Sequence, residues 1–218
     1  MNLGLLFLIL TEWIGEYKMK FGWQKNNAIM IIGLLFCSCE DNITRQPDGF
    51  DPADWVELHN PTDESITIGL WEFKDEREDH VFIIPEDRVI QPGQYLVLCR
   101  DTLAFKDNFP NVGNFAGNLN FGFKGGGELV RLFNSDGSLV DEVKYDNSPP
   151  WPTEPDGNGP TLELLHPSLD NKLGENWAAS DSHGGTPGAV NSVYLTDISN
   201  SSDSGVVINE INYNSADE

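Results

Sequence analysis

The sequence predicts an all-β sandwich, and three observations predict it. Short apolar stretches recur at regular spacing from Asp51 onward, each closed by Gly, Pro, Asn or Asp. With 21 glycines and 13 prolines the chain is too turn-rich for a helical bundle, and at 39% hydrophobic residues it is too apolar for disorder. No stretch sustains a helical period, so little or no helix is expected in the folded part. The 218 residues leave room for one domain of ordinary size once a long N-terminal segment is set aside.

That segment, residues 1–39, reads as a targeting region and is expected to form a signal helix. Lys18, Lys20 and Lys25 precede the apolar run from Ala28 to Phe36, which is too short to span a bilayer unaided. The ending Phe36-Cys37-Ser38-Cys39 resembles a bacterial lipobox, which implies that Cys39 is the acylated residue, with Cys37 the weaker alternative and a plain signal peptide or a buried helix the competing reading. A second apolar run, Leu3 to Leu10, stands before the basic residues, so Met19 is the more natural start. Residues 40–50 are polar and turn-rich, as a tether between anchor and domain should be.

Asp54-Trp55-Val56-Glu57-Leu58-His59-Asn60 is the clearest strand, with Val56 and Leu58 on one face and Trp55, Glu57 and His59 on the other; Pro61 ends it. Ser65 to Phe73 alternates until a kink at Gly69 to Trp71. The charged run Lys74 to Asp79 is a hairpin tip, with His80 to Pro85 returning. Val89-Ile90 leads into a turn at Pro92-Gly93, and Tyr95 to Cys99 is an apolar central strand. Residues 101–126 read as a long loop studded with Phe105, Phe109, Phe115, Phe121 and Phe123, ending in a glycine turn at Gly125 to Gly127. Asp136-Gly137 between two alternating runs marks the sharpest hairpin. The last third passes through Thr161 to Pro167 and Asn176 to Ser180 to Gly185-Thr186-Pro187-Gly188. Eight or nine short strands of about this spacing fit an immunoglobulin-like β-sandwich.

Little of this points to chemistry. His59, His80, His166 and His183 sit at strand ends or turns outside any metal-binding spacing, and read as surface or turn histidines. Ser182-His183 lacks a nucleophile elbow, so no catalytic residues are assigned. Asp51, Asp54 and Glu57 and the Asp75 to Asp79 run offer carboxylates without calcium-loop spacing, and no metal or cofactor is expected. Cys99, alone outside the targeting segment, fits a small buried strand residue. Trp55, Trp71 and Trp177 read as core, whereas Trp151, held between Pro149, Pro150 and Pro152, is the candidate contact for a protein or glycan partner. Beyond residue 39 the chain has 10 basic and 33 acidic residues, a balance that argues against nucleic acid.

The order and spacing of several pieces resemble the bacterial lamin tail domain: Asp54 to Asn60, Ile68-Gly69-Leu70-Trp71, Ile90 to Leu98, Thr161-Leu162-Glu163-Leu164, Asn176-Trp177 and Gly185-Thr186-Pro187-Gly188. The resemblance implies an immunoglobulin-like sandwich over residues 51–192, secreted or surface-exposed in bacteria. Such domains are often joined to nucleases, CotH-type kinases or adhesive repeats, and act as binding or tethering modules. Members open with an Ile-Asn-Glu-Ile strand, which residues 40–50 lack. Ile208-Asn209-Glu210-Ile211 supplies it at the other end, after a linker at 193–205. Residues 206–218 are therefore either the start of a second repeat or a permuted first strand, and the sharpest structural expectation is that 206–213 pair with 54–60. The function expected is a lipid-anchored, non-catalytic cell-surface binding or scaffolding module at the outer membrane or cell surface. The alternatives are the N-terminal fragment of a larger surface enzyme, or a carbohydrate-binding module.

Overall fold

The computed structural model describes residues 50–157, 159–196, 198 and 205–213. The targeting segment with Cys39, and the tether up to residue 49, lie outside the described residues. The strands are β1 (Trp55–His59), β2 (Ile66–Thr67), β3 (Glu72–Lys74), β4 (Val81–Ile83), β5 (Val89–Ile90), β6 (Tyr95–Cys99), β7 (Phe115–Gly117), β8 (Leu129–Phe133), β9 (Leu139–Lys144), β10 (Leu162–Leu164), β11 (Trp177–Ala179) and β12 (Val207–Asn212). They form an immunoglobulin-like β-sandwich. A six-stranded sheet in the order β11-β10-β12-β1-β6-β7 packs on a four-stranded sheet in the order β4-β3-β8-β9, and β2 and β5 pair as a small third sheet.

Alternation builds the core. Val56, Leu58, Leu96, Leu98, Leu162, Leu164, Ile208 and Ile211 point inward from the large sheet and meet Phe73, Val130, Leu132 and Val143 from the small one. Turn chemistry sets the connections. Gly93 at φ +66° lets Gln94 N–H donate to Gln91 O at 3.0 Å, and Gly137 at φ +83° closes the β8–β9 hairpin through its N–H to Asn134 O at 3.0 Å. The kink expected after Ile68 is present: Leu70 adopts φ +66° and its N–H donates to Ile84 O at 2.9 Å. β2 ends before it, and Leu70 is half-exposed while Ile68 is buried.

Two segments bear most on the sequence reading, and the first departs from it. The long loop expected over 101–126 contains a helix, α1 (Thr102–Asn108), and the edge strand β7, which runs parallel to β6. Asp101 caps α1 by accepting from the N–H groups of Leu103 at 2.8 Å and Ala104 at 2.9 Å. Phe105 and Phe109, one helical turn apart, then pack with Trp55 and Phe115 against the outer face of the large sheet.

The second concerns β12. It lies beside β1, antiparallel, in the placement expected of residues 206–213, with Trp55 opposite Asn212 and His59 opposite Val207. Its other edge pairs with β10. The strand is thus central to the large sheet, and β1 and β10 have no direct ladder without it. A bulge opposite the Glu57–Leu58 step inserts Asn209 as an extra residue, which keeps both Ile208 and Ile211 in the core although they are three apart.

Candidate functional site

Both faces of β1 are covered. Val56 and Leu58 enter the inter-sheet core, while Trp55, Glu57 and His59 face the outer side beneath α1 and the segment Gly184 to Val193. Register then assembles a row of carboxylates. Glu57 stands opposite Glu210 on β12, and Glu210 opposite Glu163 on β10. Directly opposed residues share a face, with Cβ atoms about 5 Å apart. All three glutamates are fully buried.

The segment Gly184 to Val193 is fastened down on this row. Gly188 N–H donates to Glu57 Oε2 at 2.5 Å, Thr186 N–H to Glu210 Oε1 at 3.0 Å, and Thr186 Oγ1 to Glu163 Oε1 at 2.8 Å. Ser192 Oγ at 2.7 Å and Val193 N–H at 3.2 Å both donate to Glu163 Oε2. From within the sheet, Asn209 Nδ2 donates to Glu57 Oε1 at 3.0 Å and Thr161 Oγ1 to Glu210 Oε1 at 2.5 Å. Asn191 completes the frame by donating to Leu164 O at 2.8 Å and Asn209 O at 3.1 Å. Gly185 shows why the segment is glycine-rich: it sits at φ +73°, and a Cβ there would overlap Glu210 Oε1 and Thr161 Oγ1.

Burial with little compensating positive charge sets the electrostatics. Loss of solvent pushes the Glu57 carboxyl up to about 8 against the hydrogen bonds from Gly188 and Asn209, and nearby Glu163 adds to the rise. Glu210 is raised well above the ordinary carboxylate range, first by burial and then by the charges of Glu57 and Glu163 on either side. Its Oε2 is buried without a hydrogen-bond partner. Beside the row, His59 stacks on Tyr95 with ring centroids 4.4 Å apart, and burial together with the charge of His166 lowers it to about 4. His59 is therefore a neutral buried ring, not the surface histidine its strand-end position predicts.

The other expected residues fall in several places. Trp151, the candidate partner contact, is 9% exposed, packs against Trp177 and covers Gly174 in the main core, so the proline-rich loop turns its aromatic inward. Cys99 is free and buried, its thiol pushed up to about 12 by loss of solvent. Asp51 and Asp54 do not join Glu57: Asp51 accepts from Ala53 N–H, and Asp54 accepts from Phe123 N–H at 2.7 Å. Asp75, read as part of a solvated tip, is buried and lies 2.5 Å from His80 Nδ1. Among the described residues no cluster of three or more His, Cys, Asp or Glu side chains has an arrangement suited to a metal ion. Glu163 and Glu210 were not singled out from the sequence, because each stands in the polar phase of a short strand. The legible signal was Trp55 beside Glu57 in phase, which marks that face as covered too.

Residues 41–147 match the family described as Lamin Tail Domain. The chain carries a lamin tail domain. No curated protein gives a significant match. The matched stretch of the lamin tail domain takes in β1 to β9, whereas β10, β11, β12 and the segment over the carboxylates follow it. The glutamate row therefore joins one residue inside the match, Glu57, to two beyond it. Lamin tail domains are immunoglobulin-like and, in general terms, non-catalytic modules. The row fits that character: nearly every carboxylate oxygen accepts a bond that ties a strand or a loop, and no reacting atom is presented to solvent.

Proposed function

We propose that this lamin tail domain is a lipid-tethered binding or scaffolding module held outside the bacterial cytoplasm, at the outer membrane or cell surface, by acylated Cys39. The observation that carries the reading is the use made of the polar groups. Glu57, Glu163 and Glu210, residue types able to do acid–base work, are spent on fastening the Gly184 to Val193 segment to the outer face of the large sheet, and His59 is buried beside them. What remains for partners is a strongly acidic exterior, in a chain of net charge −22. Such a surface favours cationic or neutral partners, a protein or a glycan, over nucleic acid. A single acyl chain gives marginal membrane binding, so two or more chains on Cys39 would be needed for stable anchoring.

The test is metabolic labelling with a clickable palmitate analogue in a bacterial host, followed by detergent phase partition. Label incorporation and a detergent-phase protein are expected for the wild type, and an unlabelled aqueous-phase protein for Cys39→Ala. Equal labelling of both, or none of either, would remove the anchor from the proposal. A larger surface enzyme containing this domain remains the second reading, favoured by the company that lamin tail domains keep.

A further inference from the structure

We propose that the seat of β12 is an exchange site, at which the Val206–Tyr213 strand of a second copy of this chain replaces the resident one. This goes beyond the tethering role and does not depend on it. Removing β12 empties a slot between β1 and β10, leaving two unpaired strand edges in the middle of the sheet. Unpaired edges are templates for strand addition.

The slot reads sequence. Ile208 and Ile211 fill the core, Asn209 Nδ2 reaches Glu57 Oε1 at 3.0 Å, and Glu210 Oε1 accepts from Thr161 and Thr186. Ile208 N–H donates to Asp141 Oδ2 at 2.7 Å, Asn212 Nδ2 to Ala53 O at 2.9 Å, and the Tyr213 ring packs on Tyr145 with centroids 4.6 Å apart. A foreign strand lacking this pattern leaves buried groups unmatched, at the cost of their desolvation. A second copy brings the same stretch and satisfies all of them.

The resident strand is also held imperfectly in its seat. Glu210 Oε2 and Tyr213 Oη, both on this stretch, are buried without hydrogen-bond partners, and Glu210 stands between two other carboxylates. Such frustration lowers the cost of releasing the strand from its seat. The connecting sequence from Thr196 to Gly205 is mostly Ser, Asn and Asp. Fully extended, its nine steps reach roughly 30 Å, enough to serve an adjacent copy. Reciprocal exchange closes a dimer, and one-way exchange builds a head-to-tail array.

Two measurements on the full-length chain test this. A fluorescent peptide spanning Gly205–Asn214 is incubated with folded wild-type protein. Stable uptake is expected, displaced by unlabelled peptide and absent for a peptide carrying Glu210→Lys. Mass by light scattering is then followed for the wild type, for a chain lacking Ser199–Asp203 and for a chain with that stretch duplicated. Shortening is expected to raise the dimer or array fraction roughly tenfold by lowering the effective concentration of the chain's own strand, and added peptide to dissolve the assemblies. No uptake by folded protein overturns the proposal. So does uptake with a mass that ignores linker length, because the seat then accepts a free strand and not a second copy. Should the shortened chain fail to fold, the wild type against the duplicated chain gives the same comparison.

Discussion

Glu57 and Glu210 differ in what their second oxygen touches, and that decides how each responds to substitution. Both oxygens of Glu57 accept from N–H donors, Gly188 and Asn209, so an amide there sets N–H against N–H. Glu210 uses only Oε1 and leaves Oε2 free, so Gln in its place keeps every accepted bond. Glu210→Gln is therefore expected to be nearly neutral at or below pH 4.5, the ordinary value of its carboxyl, and increasingly more stable than the wild type as pH rises from there, while Glu57→Gln destabilises at the low end. The sign follows from linkage. Glu57 has a folded-state value near 8, above its ordinary 4.5, so its contribution is whole below about 4.5 and is lost as pH rises through 8. Glu128, raised to about 7 by burial, acts in the same direction. His59, lowered to about 4, opposes them only between its ordinary 6.5 and 4. From pH 6.5 to 8 the carboxylates act unopposed, and the melting temperature should fall by several degrees across that interval. A flat or rising profile by calorimetry would show that Glu57 is not protonated there.

At the scale of elements, the strands and their turns were legible because alternation and turn residues are local signals. Trp55 to His59, Tyr95 to Cys99 and the Asp136-Gly137 hairpin each announce themselves in a few residues. Even the distant β12 could be placed, since its Ile-Asn-Glu-Ile pattern matched the strand that the opening of the domain lacked. α1 was illegible for the opposite reason: seven residues give too little periodicity, although the Asp101 cap and the Phe105–Phe109 spacing were both in view. The carboxylate row was illegible because its members come from three strands and meet only through register. Trp151 misled because a proline-flanked aromatic looks the same in sequence whether its loop faces in or out. The two positions for that ring predict different energetics. Packed as it is on Trp177 and Gly174, Trp151→Ala should cost about 3–5 kcal/mol, read as a lowered denaturant midpoint at unchanged slope, where a surface aromatic would cost well under 1 kcal/mol.

For the molecule as a whole, the strands that complete the large sheet come late in the chain. β1 gains one neighbour, β6, within about 40 residues, but waits some 150 residues for β12, so its pairing is dominated by non-local contacts. The family match at 41–147 therefore marks a recognisable pattern without enclosing a foldable unit. Cut at 147, the domain loses Leu162, Leu164, Trp177, Ile208, Ile211 and Tyr213 from its main core, together with the whole β11-β10-β12 half of the large sheet. It also leaves β1 as an open edge and Glu57 stripped of Gly188 and Asn209. A stretch so opened cannot offset the entropy of ordering the remainder. Residues 41–147 expressed alone should be rapidly digested in limited proteolysis and show no cooperative thermal transition, whereas a chain extending through Tyr213 should resist digestion and melt in one step. A protease-resistant 41–147 fragment would mean that β1 finds another partner, and that β12 is an addition to a finished sandwich instead of its missing strand.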